Sequence, residues 1–246
     1  MRTFFTALFL VFLFTSTQGR ADDGDVVINR LADGVWRHVS FHDYNGNRVA
    51  SNGLIVRDGD QLYLVDSAWG DENTETLLDL IDERFGLPVA AAVATHSHAD
   101  RAAGADVFAR RGIPFYASEA TRALVPQWGL AVPAETLDIA HKAGAKTRLG
   151  PLEIMYPGVG HTADNLVVWL PALDLLFGGC VVRGGTSKDL GYFKEGDPLA
   201  WADAMELIIR QYGTAEIVVP GHGETGDAVL LSHTADLIEA HLTAQP

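Results

Sequence analysis

The chain has 246 residues, 48% of them hydrophobic and 20% charged, with 32 acidic against 18 basic residues and a formal charge of −14. That length supports one large domain with a sizeable core. A balance this acidic excludes nucleic acid as a partner, and a single cysteine, Cys180, excludes an internal disulfide framework.

The opening MRTFFTALFLVFLFTSTQGRA has an early basic residue, an apolar stretch from Phe4 to Phe14, and a small-x-small signal at Gly19-Arg20-Ala21. It reads as a secretory signal peptide, residues 1–21. The apolar stretch falls well short of the ~20 residues that span a bilayer, so no membrane anchor is expected. Residues 22–246 are read as one catalytic domain. Apolar runs suited to strands follow at DVVINRL, GVWRHVSF, GLIVRDG, QLYLVDS and PVAAAVATH. YNGN at 44–47 marks a tight hairpin, because Asn-Gly accepts positive φ angles. Helical periodicity appears in ENTETLLDLIDERFG and RAAGADVFARRG. The second half repeats the rhythm: strands in TRLG, PLEIMYP, NLVVWLP and DLLFGG, a helix in PLAWADAMELIIRQYG, a strand in AEIVVPGHG and a last helix in AVLLSHTADLIEAHL. Two similar strand-and-helix halves predict an α/β protein, an αββα four-layer sandwich.

THSHADR, residues 95–101, puts His96, His98 and Asp100 directly after the apolar run VAAAVA. In extended chain, residues two apart point the same way, so the two histidines face together and Asp100 joins them as the strand ends. GVGHTADNLVVW presents His161 before a strand, and LLFGGCVVR and IVVPGHGE present Cys180 and His222 after strands, each beside glycine. Imidazole, thiolate and carboxylate are the donors zinc takes, and catalytic zinc sites keep one position open for water. Three histidines in one group and Asp, Cys and His in another suit two zinc ions ~3.5–4 Å apart. His38, His42, His141, His233 and His241 have no comparable setting and are read as surface or structural.

These blocks resemble the metallo-β-lactamase family, specifically subclass B1 of the class B β-lactamases. SNGLIVRDGDQLYLVDSAWG, THSHADRAAG, YPGVGHTADNLVVWLP, GGCVVR and VVPGHGETGDAVLLSHT follow one another in the family's order across nearly all of residues 22–246. The resemblance implies a first zinc held by His96, His98 and His161 and a second held by Asp100, Cys180 and His222. It implies a β-lactam substrate opened by a metal-activated water with no acyl-enzyme. Asp100 is the group placed to relay a proton, and Arg183 holds the substrate carboxylate where the subclass usually has lysine. Asp66 and Arg101 are expected to orient the ligands from behind. FHDYNGNRV fits the hairpin that closes over substrate, with Phe41 and Tyr44 in apolar contact. Penicillins, cephalosporins and carbapenems are the expected substrates, a monomer is the expected state, and the leader implies export to the periplasm of a Gram-negative bacterium.

Two residues narrow the branch. The wider superfamily commonly has a histidine after the motif aspartate and a bridging aspartate where this chain has Cys180. Arg101 and Cys180 therefore argue against a zinc hydrolase of lactones or thioesters. A non-catalytic zinc protein is disfavoured by ligand sets that leave a position open. One departure is plain: Leu190-Gly191-Tyr192 stands where many relatives read Leu-Gly-Asn, so the amide proposed to polarise the lactam carbonyl is absent.

Overall fold

The computed structural model describes residues 25–244. The predicted leader, 1–21, lies outside them. A seven-stranded sheet runs in sequence order through β1 (Val26–Ala32), β2 (Val35–Tyr44), β3 (Asn47–Asp58), β4 (Gln61–Val65), β5 (Val89–Val93), β6 (Phe115–Ser118) and β7 (Glu135–Leu137). A five-stranded sheet contains β8 (Lys146–Leu149), β9 (Leu152–Met155), β10 (Val167–Leu170), β11 (Leu175–Gly179) and β12 (Ile217–Pro220), in the spatial order β12-β11-β10-β9-β8. The first sheet carries α1 (Asp71–Phe85), α2 (Ala99–Ala102), α3 (Ala105–Arg110) and α4 (Glu119–Leu124); the second carries α5 (Pro198–Tyr212) and α6 (Val229–Thr243).

Three apolar layers hold this stack together, and the strand sequences explain them. Leu54, Val56, Val65 and Val93 of the first sheet meet Ile154, Val168, Phe177 and Val219 of the second, forming the core between the sheets. The alternate residues face outward: Ile55, Leu62 and Leu64 pack under Leu77, Leu78, Ile81 and Phe108 of the helices. On the other side Met155, Val167, Leu176 and Val218 pack under Trp201, Met205, Ile208 and Leu231. Strands covered on both faces need apolar residues at successive positions, which is why they read as continuous runs rather than alternating ones. Each fully buried Leu, Ile or Phe contributes roughly 1.5–3 kcal/mol. The αββα expectation is met.

The local grammar is visible at α1. Asp71 and Glu72 lie in its first turn and Arg84 in its last, each opposing the helix dipole, and Gly86 closes it at φ 58°. Two expectations need correction. RAAGADVFARRG is not one helix: it breaks between α2 and α3 at Gly104, where a Cβ would stand 2.6 Å from the Thr74 side chain of α1. The close approach of α1 sets that break. The metal-ligand motif is also not an extended strand end. β5 stops at Val93, His96 lies in a bend, His98 caps α2 at φ −71° and ψ 159°, and Asp100 is inside that helical turn. The donors therefore converge through a loop and a helix, not through strand alternation.

Topology explains why one edge collects the donors. β4 and β5 run parallel, as do β11 and β12, while β10 is antiparallel to β11. The chain leaving β5, β11 and β12 and the chain entering β10 therefore occupy the same rim. Hydrogen bonds stitch the two sheets there, from Leu166 N to Thr95 O at 2.7 Å and from Asn52 N to Gly221 O at 2.9 Å.

Candidate metal centre

Six side chains meet at this rim. The rings of His96, His98 and His161 stand edge to face, with centroids 4.7, 5.0 and 5.1 Å apart. His161 Nε2 lies 3.2 Å from His98 Nδ1. One donor atom each from Asp100, Cys180 and His222 falls within 4.8 Å of the other two, and the same holds for His96 with His98 and Asp100 and for His96 with His161 and Cys180. The predicted groups are thus adjacent parts of a single cluster.

The donors carry the marks of a metal site. Both ring nitrogens of His96 and Nδ1 of His161 are buried with no hydrogen-bond partner among the described residues. A buried polar atom left unpaired costs free energy, so so many together imply a missing partner. Two neutral imidazole nitrogens 3.2 Å apart cannot both donate. That spacing matches neighbouring ligands around a tetrahedral ion with bonds of ~2.0–2.1 Å. Burial, reinforced by the neighbouring histidines, holds His96 and His161 well below the usual imidazole range. Both are thereby kept neutral, the form that ligates.

The second group is charged. Burial alone would raise the Asp100 carboxyl, but Arg101 and His222 outweigh it and hold it well below the usual carboxylate range. Burial would likewise lower His222, yet Cys180 and Asp100 push it up to about 10. His222 Nδ1 donates to Ala50 O at 2.7 Å, and its Nε2 faces Asp100 Oδ2 at 3.2 Å. Cys180 Sγ lies 3.8 Å from that same oxygen and is a free, buried thiol.

Arg101 is the hub beneath this group. Fully buried, its Nη2 reaches Asp100 Oδ2 at 3.0 Å, Cys180 Sγ at 3.1 Å and Gly221 O at 2.8 Å. Nη1 reaches Asp66 Oδ2 at 3.2 Å and donates to Asn52 O. Asp66 holds the left-handed φ of 65° just past β4 and accepts from Thr95 N at 2.7 Å and Thr95 Oγ1 at 3.0 Å. It thus anchors the ligand loop at its start and Arg101 at its side; its place at the head of the α1 loop does not make it a helix cap. Gly221 is required by close approach: a Cβ there would stand 2.6 Å from Cys180 Sγ and 2.7 Å from Arg101 Nη2.

The remaining predicted residues lie around the mouth. Arg183, half-buried, takes its backbone hydrogen bond to Thr234 Oγ1 at 2.9 Å, and its Nε donates to Asp189 O at 3.3 Å. Its charge is among those that lower His161. Phe41 and Tyr44 belong to the β2–β3 hairpin, whose Asn45-Gly46 turn has φ 51° and 77° as YNGN predicts. The two aromatics have different surroundings. Phe41 lies under the Arg48 guanidinium at 4.6 Å, whereas Tyr44 tilts onto Trp69 at 6.1 Å. Trp69 also meets His42 at 5.0 Å and His222 at 6.2 Å, linking hairpin to donor cluster. Sequence reasoning missed Trp69, Trp128 and Glu195. SAWG and KEGD carry no spacing signal, since their positions follow only from how the loops fold back.

An αββα sandwich with six such donors on its shared rim defines a metal-centred α/β protein. A family model described as the metallo-beta-lactamase superfamily matches residues 46–222. The chain is 38% identical over 218 residues to the metallo-beta-lactamase type 2 of Bacillus cereus, covering 89% of this chain and 84% of that one. It is 32% identical over 221 residues to the type 2 enzyme of Elizabethkingia meningoseptica, covering 90% and 88%. Among solved structures, the metallo-beta-lactamase FIM-1 from Pseudomonas aeruginosa in its mono-zinc form superposes with a TM-score of 0.84 at 35% identity, covering 89% and 97%. The chain belongs to the metallo-β-lactamase superfamily, on its class B β-lactamase branch.

Proposed function

We propose that this protein hydrolyses the amide bond of β-lactam antibiotics with two zinc ions, one held by His96, His98 and His161 and the other by Asp100, Cys180 and His222. The observation that carries the reading is the buried donor cluster itself, with His96 and His161 nitrogens that no described residue satisfies. The names of the relatives, metallo-beta-lactamases of type 2, support the substrate class.

Bound zinc supplies a Lewis acid that activates water near neutral pH and neutralises negative charge on the opening ring. The chain's residues do the rest. Arg101 holds Asp100 anionic and fixes the position of Cys180 through a contact from Nη2 to Sγ at 3.1 Å. Arg183 binds the substrate carboxylate. Tyr44 and Trp69 form an apolar wall beside His222 that excludes water from one side of the substrate. Asp100 is the carboxylate we assign to relay a proton. Penicillins, cephalosporins and carbapenems are the substrates we assign, and the leader-like segment 1–21 supports export to the periplasm.

The test is turnover of a chromogenic cephalosporin and a carbapenem beside a lactone and a thioester, with and without chelator. Hydrolysis of the β-lactams alone, lost on chelation and restored by zinc, is the expected result. Preference for the lactone or thioester overturns the substrate, and full β-lactam hydrolysis in protein shown by elemental analysis to be zinc-free overturns the chemistry.

A further inference from the structure

His98 has a second ring nitrogen whose surroundings the donor set leaves unexplained. Nδ1 faces His161, while Nε2 points out of the cluster, buried, to within 3.4 Å of Glu195 Oε2. Oε2 of Glu195 is itself buried with no hydrogen-bond partner among the described residues. Its other oxygen, Oε1, accepts from the Tyr192 hydroxyl at 2.9 Å. The Tyr192 ring stands edge-on to His98 at 5.7 Å and 70°, and Trp128 stands edge-on to it at 4.7 Å and 87°. Tyr192 and Glu195 sit on the loop between Cys180 and α5, so this contact joins that loop to the histidine loop after β5.

We propose that Tyr192 and Glu195 are a positioning pair for His98: Glu195 accepts the Nε2 proton, which leaves Nδ1 free to ligate, and Tyr192 holds Glu195 in the rotamer that does so. The inference rests on the metal centre proposed above and deepens it. Ligating histidines commonly give their second N–H to a carboxylate or carbonyl, which fixes tautomer and ring orientation and makes the imidazole a stronger donor to the ion. His222 meets that need with a backbone carbonyl, Ala50 O. For His98 the group placed to meet it is a carboxylate 3.4 Å from Nε2, a more strongly polarising acceptor than a carbonyl. A glutamate has three side-chain torsions and holds one oxygen on target only if the other is tied. The Tyr192 hydroxyl ties it, from a ring already fixed against His98. A hydroxyl has one proton to give, so a Tyr192 that donates to Glu195 does not donate to a substrate carbonyl.

The experiment compares the parent with Glu195→Gln, Glu195→Asp and Tyr192→Phe. Zinc affinity is read by competition with a chromophoric chelator, the cobalt-substituted forms by absorption spectroscopy, and the metal-free forms by denaturation midpoint. Glu195→Gln should weaken binding at the three-histidine site about 10- to 100-fold. Tyr192→Phe should weaken it about fivefold, the loss of one hydrogen bond. Glu195→Asp should keep most of the affinity. The cobalt d–d bands should shift in Glu195→Gln while the thiolate-to-cobalt band from Cys180 stays, and the metal-free midpoints should not move. Parent-like metal affinity and cobalt spectra in Glu195→Gln overturn the pair. So does a Tyr192→Phe variant that loses kcat at unchanged metal affinity, since the hydroxyl then serves the substrate. Because metal binding is the readout, a parent without β-lactam turnover overturns only the earlier reading, and equal metal binding by Glu195→Gln overturns only this one.

Discussion

Arg101 is the residue on which the candidate centre leans hardest. One buried guanidinium faces two carboxylates and a thiol, and its removal takes the cation from beside Asp66 and leaves Asp100 with His222 alone. Breaking such a set costs about 3–5 kcal/mol. Arg101→Met should therefore lower the unfolding free energy of the metal-free protein by that amount in denaturant titrations. Cys180→Ser tests a different property of the same neighbourhood. Serine is nearly the size of cysteine, but its hydroxyl does not readily ionise, whereas a thiol beside a metal gives up its proton. The variant should fold, keep one zinc, lose affinity for the other and hydrolyse β-lactams much more slowly at limiting zinc. A zinc titration following content and rate together checks this. His38 gives the pH prediction. It lies in β2, buried, with Nε2 at 3.2 Å from Val65 O, and burial lowers its pKa from 6.5 to about 4. Below pH 6.5 the unfolded chain takes up a proton that folded His38 refuses, so its contribution is full above 6.5 and lost as pH falls toward 4. That loss is worth about 3 kcal/mol. The parent should lose that much more stability than His38→Gln between neutral pH and pH 4, with both proteins metal-free.

At the scale of elements, the β2–β3 hairpin shows what a short motif specifies. Asn45-Gly46 sets the turn, and the pairing from Val35–Val56 to Tyr44–Asn47 is unbroken, so the register carries Tyr44 to the tip. There it is 45% exposed, with Trp69 as its ring neighbour. On the proposed function, Tyr44→Ala removes an apolar contact made to substrate in the ground and transition states alike. KM should rise several-fold while kcat changes little, and steady-state kinetics on one cephalosporin decide it. The segment between α3 and β8 was opaque by contrast. β6, α4 and β7 have four, six and three residues, too few for either periodicity to declare itself. They form because sheet edges and the Ser118 side chain, which accepts from Thr121 N at 3.0 Å, supply partners that the local sequence does not advertise.

For the whole molecule, the centre is also a clamp. His96, His98 and Asp100 follow β5 of the first sheet, while His161, Cys180 and His222 border strands of the second. A metal ion held between them, as proposed, would favour the folded chain over the unfolded one. At a hundredfold excess over Kd, one site adds about 2.7 kcal/mol, which in a domain of this size raises Tm by about 5–10 °C. Chelation should lower Tm by at least that much and abolish β-lactam hydrolysis together, and zinc should restore both. Calorimetry alongside the turnover assay measures the pair.

The sequence by itself determined the layers and pointed to the residues proposed as donors. Continuous apolar runs are what strands buried on both faces require, and clustered His and Asp after one such run, with His and Cys beside glycine near others, are informative because their chemistry resides in the side chain. Asp66 and Arg101 were legible only through family resemblance, and Phe41 and Tyr44 could not be told apart. Tertiary structure alone decided the rest. The helical turn at Asp100, the break at Gly104, the Arg101 hub, Trp69 beside His222 and Glu195 facing His98 all arise where chain segments far apart in sequence cross on one rim. Periodicity reports how a segment buries its own faces; it carries no record of which other segment arrives opposite, and that arrival is what turns six separate donors into one centre.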